Sequence, residues 1–385
     1  MKRRTISNYF ALGGFSLAAT SIACLAVALM ASSANAELKN PRGSYDGRST
    51  TMAFDGGFIY RIQSAGEGSF AVSRSSSPNG RGQTVARFKD DQEAYIYPAQ
   101  LTVGGGQIAV EIDEYNDETG AESSSIVHAV AGNFVPVSVL EDPPAADVCA
   151  LSERLVDVLV DGRLIIESTH MEGLNGECGM QRARQTLTAV SPDGSMQALH
   201  ETRSAWGIHS IDPDQWTIAL SGQLAFIRFS GGETIATNLL TGMQSTMPFA
   251  LDKRLWELSQ DGRMLATQPV HKLPQTNLYT NAADVTSKVV LETPGQVSFF
   301  HFCGNQILEI SRTGKRQSIK DGRRYWGLAL RDLGGVHTGS VKKRLRRGTN
   351  FVGCDAQQAV FSVPRKNSNS RPKLTAVSLV TNLTQ

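Results

Sequence analysis

The sequence predicts an all-β fold, a β-propeller of seven four-stranded blades with six to eight permitted. Three observations carry that expectation. A Gly/Asp/Asn turn signature recurs along the chain, a short β-rich apolar run follows each copy, and strong helical periodicity is hard to find after residue 37.

Eight segments share the signature: "FDGGFIYRI" from Phe54, "VGGGQIAVEI" from Val103, "LVDGRLIIES" from Leu159, "VSPDGSMQAL" from Val190, "LSGQLAFIRF" from Leu220, "LSQDGRMLAT" from Leu258, "FCGNQILEIS" from Phe302 and "VGCDAQQAVF" from Val352. Asp-Gly and Gly-Asn suit tight hairpin turns because they tolerate positive φ at little cost, so each unit reads as strand, turn, strand. Gly105 to Asp161, Asp261 to Gly304 and Gly304 to Asp355 are 56, 43 and 51 residues apart, close to the length of a four-stranded blade. Asp161 to Asp193 and Asp193 to Gly222 are only 32 and 29 apart. At least one of the eight is therefore an internal hairpin rather than the start of a blade. A blade cannot cover both of its own faces, so a chain repeating one hairpin is expected to build a ring of mutually covering sheets. Two stacked β-sandwiches are the rival architecture, but their strands need no shared turn signature.

Some of these residues resemble a known family. "LSQDGRMLAT", followed by "TNLYTNAADVTSKVVLE", is similar to the TolB-type propeller repeat: a Ser-Pro-Asp-Gly-like turn, an apolar strand, a strand centred on Leu-Tyr and a closing strand after a second turn. "VSPDGSMQAL" is the best match to that turn. The resemblance extends over about three repeats, and other copies replace Asp-Gly with Gly-Gln or Gly-Asn. It implies a propeller fold and no particular partner.

The N-terminus predicts the compartment. Lys2, Arg3 and Arg4 precede an apolar stretch from Tyr9 to Met30, and small residues at Ala34 and Ala36 stand before Glu37. These are the parts of a signal peptide spanning 1–36, cut after Ala36, which leaves a single propeller domain at 37–385 in the periplasm or outside the cell. An uncleaved anchor is the competing reading, since the apolar stretch is long enough to cross a bilayer. Gly13, Gly14 and several Ser and Thr dilute it. No later segment is apolar and long enough to span a membrane.

Cysteine usage agrees with export. Beyond Cys24 the chain holds Cys149, Cys178, Cys303 and Cys354, an even set that suggests two disulfides in an oxidising compartment. Three pairings are open; Cys149 with Cys178 and Cys303 with Cys354 is favoured, because the second pair occupies matching positions of consecutive repeats.

Motifs for chemistry are scarce. There is no nucleophile elbow in the mature chain, no His-Glu-x-x-His, no phosphate-cradling Gly loop and no Cys-x-x-Cys. The seven His are scattered without metal-ligand spacing, so neither a cofactor nor a metal is expected. The acidic run Asp113 to Glu122 offers Asp113, Asp117 and Glu118 to calcium but lacks the Gly and final Glu of an EF-hand loop; a solvated hairpin tip explains it as well.

Charge is the least bland feature. The chain has 38 Lys and Arg against 36 Asp and Glu, yet residues 312–373 carry sixteen cations against Asp321, Asp332 and Asp355 alone. Within them "VKKRLRRG" packs Lys342, Lys343, Arg344, Arg346 and Arg347 so tightly that mutual repulsion argues for an exposed loop. With Arg323, Arg324, Arg365 and Lys366 it would form a face for a protein or an anionic polymer of the bacterial cell envelope rather than for nucleic acid. The alternative is a loop that balances the acidic remainder of the molecule. The sequence thus predicts an exported binding module, with a propeller lyase or hydrolase acting on a glycan or peptide at the channel mouth as the second reading.

Overall fold

The runs after each turn are rich in Ile, Val, Phe and Thr, whose branched and aromatic side chains fit a pleated surface. A computed structural model of the chain contains strands and no helix among its described residues. These are 45–48, 51–66, 68–89, 95–116, 121–140, 148–159, 161–175, 177–203, 216–221, 224–229, 234–239, 241–246, 254–258, 265–268, 276–281, 284–291, 298–312, 325–346, 349–364 and 372–380. The expected signal peptide at 1–36 and its cleavage site lie outside them.

The strands form five four-stranded sheets and one eight-stranded sheet. The eight-stranded sheet is two antiparallel runs, A (52–89) and B (95–137), which meet among the described residues in parallel at Arg87 and Asn133. Sheets C (148–203), D (216–246), E (254–291) and F (298–346) follow in chain order, each with its four strands adjacent in sequence. The last, G, takes three strands from 349–378 and completes itself with Tyr45–Arg48, which pairs in parallel with Thr349–Cys354. The N-terminal strand thereby ties the start of the chain to its end.

Successive sheets lie against one another, and the series closes. Tyr60, Phe70 and Val72 of A pack with Leu101, Ile108 and Val110 of B. Ala109 and Ile126 of B meet Leu155, Leu164 and Ile166 of C. Leu239 of D joins Leu159, Ile165 and Leu187 of C. The first strands of D and E, and of E and F, lie alongside one another. Phe351 and Phe361 of G pack on Leu308, Ile310 and Leu328 of F. Ile59 of A then meets Val352, Val360 and Leu374 of G, and the ring is complete. Four-stranded antiparallel sheets in sequence around a closed ring are the topology of a β-propeller.

Six of the eight turn segments link the first and second strands of A, B, C, D, E and F, and a seventh links Thr349–Cys354 to Gln358–Val363 in G, beside the added strand Tyr45–Arg48. The exception is "VSPDGSMQAL", which joins the third and fourth strands of C, Glu177–Val190 and Met196–Arg203. It is the internal hairpin that the short spacings of 32 and 29 residues required. The best local match to the family's turn therefore sits at a different place in its sheet from the other seven.

Close approach explains two glycines. Gly304 has φ +63°, and a Cβ there would stand 2.7 Å from the Cβ of Ala356, where the turns of F and G touch. At Gly104 a Cβ would run into the carbonyl oxygens of Val158 and Leu159, where B meets C. Gly104→Ala must move backbone rather than a flexible side chain, so it is expected to cost about 3 kcal/mol, read as a lower urea midpoint at unchanged slope.

Candidate functional site

The basic run is placed by hydrogen bonding on an outer rim. Lys342, Lys343, Arg344 and Arg346 lie on His337–Arg346, the fourth strand of F, while Arg347, Arg323, Arg324, Arg365 and Lys366 lie outside the described residues. The segment is a strand, not the loop that charge repulsion suggested. Leu345 is buried at 2% exposure and Val341 is half-buried, and pairing with Tyr325–Asp332 satisfies the backbone. Leu345 pairs with Trp326 and Val341 with Leu328, so Lys342 to Arg344 form a bulge with two residues more than the facing strand.

The disulfides pair Cys149 with Cys178 and Cys303 with Cys354, the favoured pairing. The first links the first and third strands of C; the second spans F and G, with Cα atoms 5.3 Å apart. Asp113 to Asn116 end one strand and Ala121 begins its antiparallel partner; Asp117 and Glu118 of the acidic run lie outside the described residues. Among the described residues no group of three or more His, Cys, Asp or Glu is placed to hold a metal ion.

Sequence reasoning missed a polar layer between B and C. The first strand of C, Val148–Val158, has no strand on its inner edge, so its backbone groups there need partners from elsewhere. Sheet B supplies them: Glu111 Oε2 accepts the Leu155 N–H at 2.9 Å, and Gln100 Nε2 donates to the Leu155 carbonyl at 3.1 Å. Arg154 pairs with Glu167 on the next strand of C. Glu153 accepts from the Ser138 hydroxyl at 3.0 Å, the Val139 N–H at 2.5 Å and the Leu140 N–H at 3.1 Å, which fastens the B–C crossover. Burial pushes the Glu111 carboxyl up to about 7; the Leu155 N–H and Arg154 pull it down, while Asp113 and Glu167 push it up. The cue in the sequence was one charge inside an apolar run, "QIAVEI". Chemically this is an acid that titrates near neutral pH beside a fixed ion pair. It is buried between sheets B and C.

Above that layer a groove of about 380 Å³ runs between B and C. Val130, Val135 and Pro136 wall one side, and Leu164, Pro192 and Met196 the other. Val130, Val135 and Met196 are 47%, 41% and 55% exposed, so the walls are apolar yet open. The displaced Ser-Pro-Asp-Gly turn forms the C wall. Asp193 accepts from the Ser195 N–H at 2.9 Å and its hydroxyl at 2.7 Å, which lowers its pKa, and Gly194 takes φ +84°. At the floor the His128 ring meets Gln107 Oε1 at 3.1 Å, and burial lowers its pKa.

No protein-family model and no curated protein matches the chain. Solved structures do. TolB from Acinetobacter baumannii is 11% identical at a TM-score of 0.34, with 76% of this chain aligned to 65% of that one. The acylaminoacyl peptidase of Pyrococcus horikoshii is 13% identical at a TM-score of 0.36, over 57% of this chain and 38% of the peptidase. The β-propeller domain of the Trilobed protease from Pyrococcus furiosus is 9% identical at a TM-score of 0.46, over 86% of this chain and 95% of that domain. The chain thus spans less than two thirds of TolB and of the peptidase. At these TM-scores the fold assignment stands on the sheet order and ring closure described above, by which the chain is a β-propeller protein.

Proposed function

We propose that this chain is a seven-bladed propeller, counting A and B as separate blades, that is exported by cleavage after Ala36 and acts by binding in the periplasm or outside the cell. Its partner is a protein or an anionic envelope polymer, held at Lys342, Lys343, Arg344, Arg346 and Arg347. The observation that carries this reading is the position of the run on the outermost strand of F, the strand farthest from the inner edge. A basic outer strand also deters edge-to-edge pairing between copies, so charge there serves solubility and recognition together.

The test is a pull-down from an envelope extract, with all five cations changed to Ser in a parallel bait. A partner retained by the native bait, lost by the variant and released by rising salt is the expected result. Equal recovery by both baits would move the binding surface elsewhere on the ring.

A further inference from the structure

The layer where the ring closes contains a cation without an acid. Arg61 lies on Phe58–Gly66 of A, opposite Ser73, and alternation puts it on the face of Ile59, which packs against Val352, Val360 and Leu374 of G. Arg154, Arg163, Arg182, Arg184, Arg203 and Arg331 each hold a carboxylate at 3.0 Å or less. Arg61 pairs with none among the described residues. Its Nη2 donates to the Pro78 carbonyl at 2.6 Å, which pins the guanidinium, while Nε is buried with no hydrogen-bond partner. Burial lowers its pKa, and no neighbouring carboxylate offsets that.

The facing sides of both sheets carry polar residues. Sheet A brings Ser73 and Ser75, 3% and 7% exposed. Sheet G brings the cross-strand pair Asn350 and Ser362, the latter 5% exposed, and the buried Oδ1 of Asn350 also lacks a partner. An amide can turn either its oxygen or its NH2 toward a ligand, so Asn350 serves as donor or acceptor. Gly82 brings the 75–82 loop down on this wall, for a Cβ there would stand 2.9 Å from Ser73 Oγ. A half-buried guanidinium whose buried Nε–H lacks a partner, on a face that carries hydroxyl and amide groups, suits an oxyanion.

We propose that Arg61 binds a small oxyanion, a carboxylate or a phosphate group, in the layer between sheets A and G, with Ser73 and Asn350 as further ligands. Bound there, the anion strengthens the junction between the first and last sheets.

Thermal melts of the mature protein in sodium phosphate and in sodium acetate, each matched in ionic strength with chloride, test this and separate the two anion sources. One of the anions is expected to raise Tm saturably above its chloride control, and Ser73→Ala to weaken the effect. In Arg61→Gln the rise should vanish, which sets aside the general stabilisation that phosphate gives by surface exclusion. A rise of equal size in Arg61→Gln, or none above chloride with either anion, would overturn the proposal. Should Arg61→Gln fail to fold, Arg61→Lys decides: it keeps the charge without the planar fork and must bind at least about tenfold more weakly.

Discussion

Replacing Cys303 and Cys354 together by Ser is expected to cost about 4 kcal/mol of stability, because the bridge closes a 51-residue loop. Its location adds to the effect. Cys303 is fully buried in the F–G core beside Leu308, Ile310 and Phe351, so the variant also leaves a hydroxyl where the native sulfur is packed. In a ring each sheet is covered by two neighbours, and a break at one junction exposes two apolar faces at once. Urea unfolding of native and double-Ser protein measures the difference, with dithiothreitol-treated native protein as a check. A loss under about 1 kcal/mol would mean that the pairing of Tyr45–Arg48 with Thr349–Cys354 and the apolar layer hold the closure without the bridge. The Cys149–Cys178 bridge closes 29 residues within one sheet, and its removal should be felt locally, at the junction of Val148–Val158 with the rest of C.

Stability should also fall as pH rises through the titration of Glu111. Burial holds its folded pKa at about 7, against an ordinary value of 4.5, so the folded state keeps a proton that the unfolded chain releases. Between those values the unfolded state binds fewer protons, the slope of stability with pH is negative, and the group's contribution is lost by pH 8. The size is about 3 kcal/mol, with Glu111 only 7% exposed and poorly screened. Glu111→Gln keeps an acceptor for the Leu155 N–H and removes the titration. Native and variant should therefore match near pH 5, and the variant should be the more stable at pH 8. Parallel stability profiles across that window would show that Glu111 ionises freely in the folded protein. The same experiment bears on the junction it belongs to, since the Leu155 contact is one of few polar links between B and C.

How far the sequence reached depended on the range of the interaction. Asp-Gly, Gly-Gly and Gly-Asn turns before branched apolar runs act over about ten residues, and they identified the hairpins, the all-β class and the ring. The same cues left the Ser-Pro-Asp-Gly turn at 191–194 ambiguous, because a tight turn has the same chemistry wherever it lies in a sheet; its register against Met196–Arg203 decided the matter. At Lys342 to Arg346 local repulsion argued for a loop, and the partners offered by Tyr325–Asp332 outweighed it. Repeat position favoured Cys303 with Cys354, since matching turns of successive sheets come together.

What the sequence determined by itself was the set of strands, their turns and the redox chemistry of four cysteines. Only the tertiary structure decided which groups face one another across a layer: Glu111 against Leu155 between B and C, or Ile59 against Val352 and Val360 between A and G. Strand alternation says that a side chain leaves one face of its sheet. It does not say what waits there, because that neighbour is supplied by residues as far as 315 positions away and is chosen by the closure of the ring.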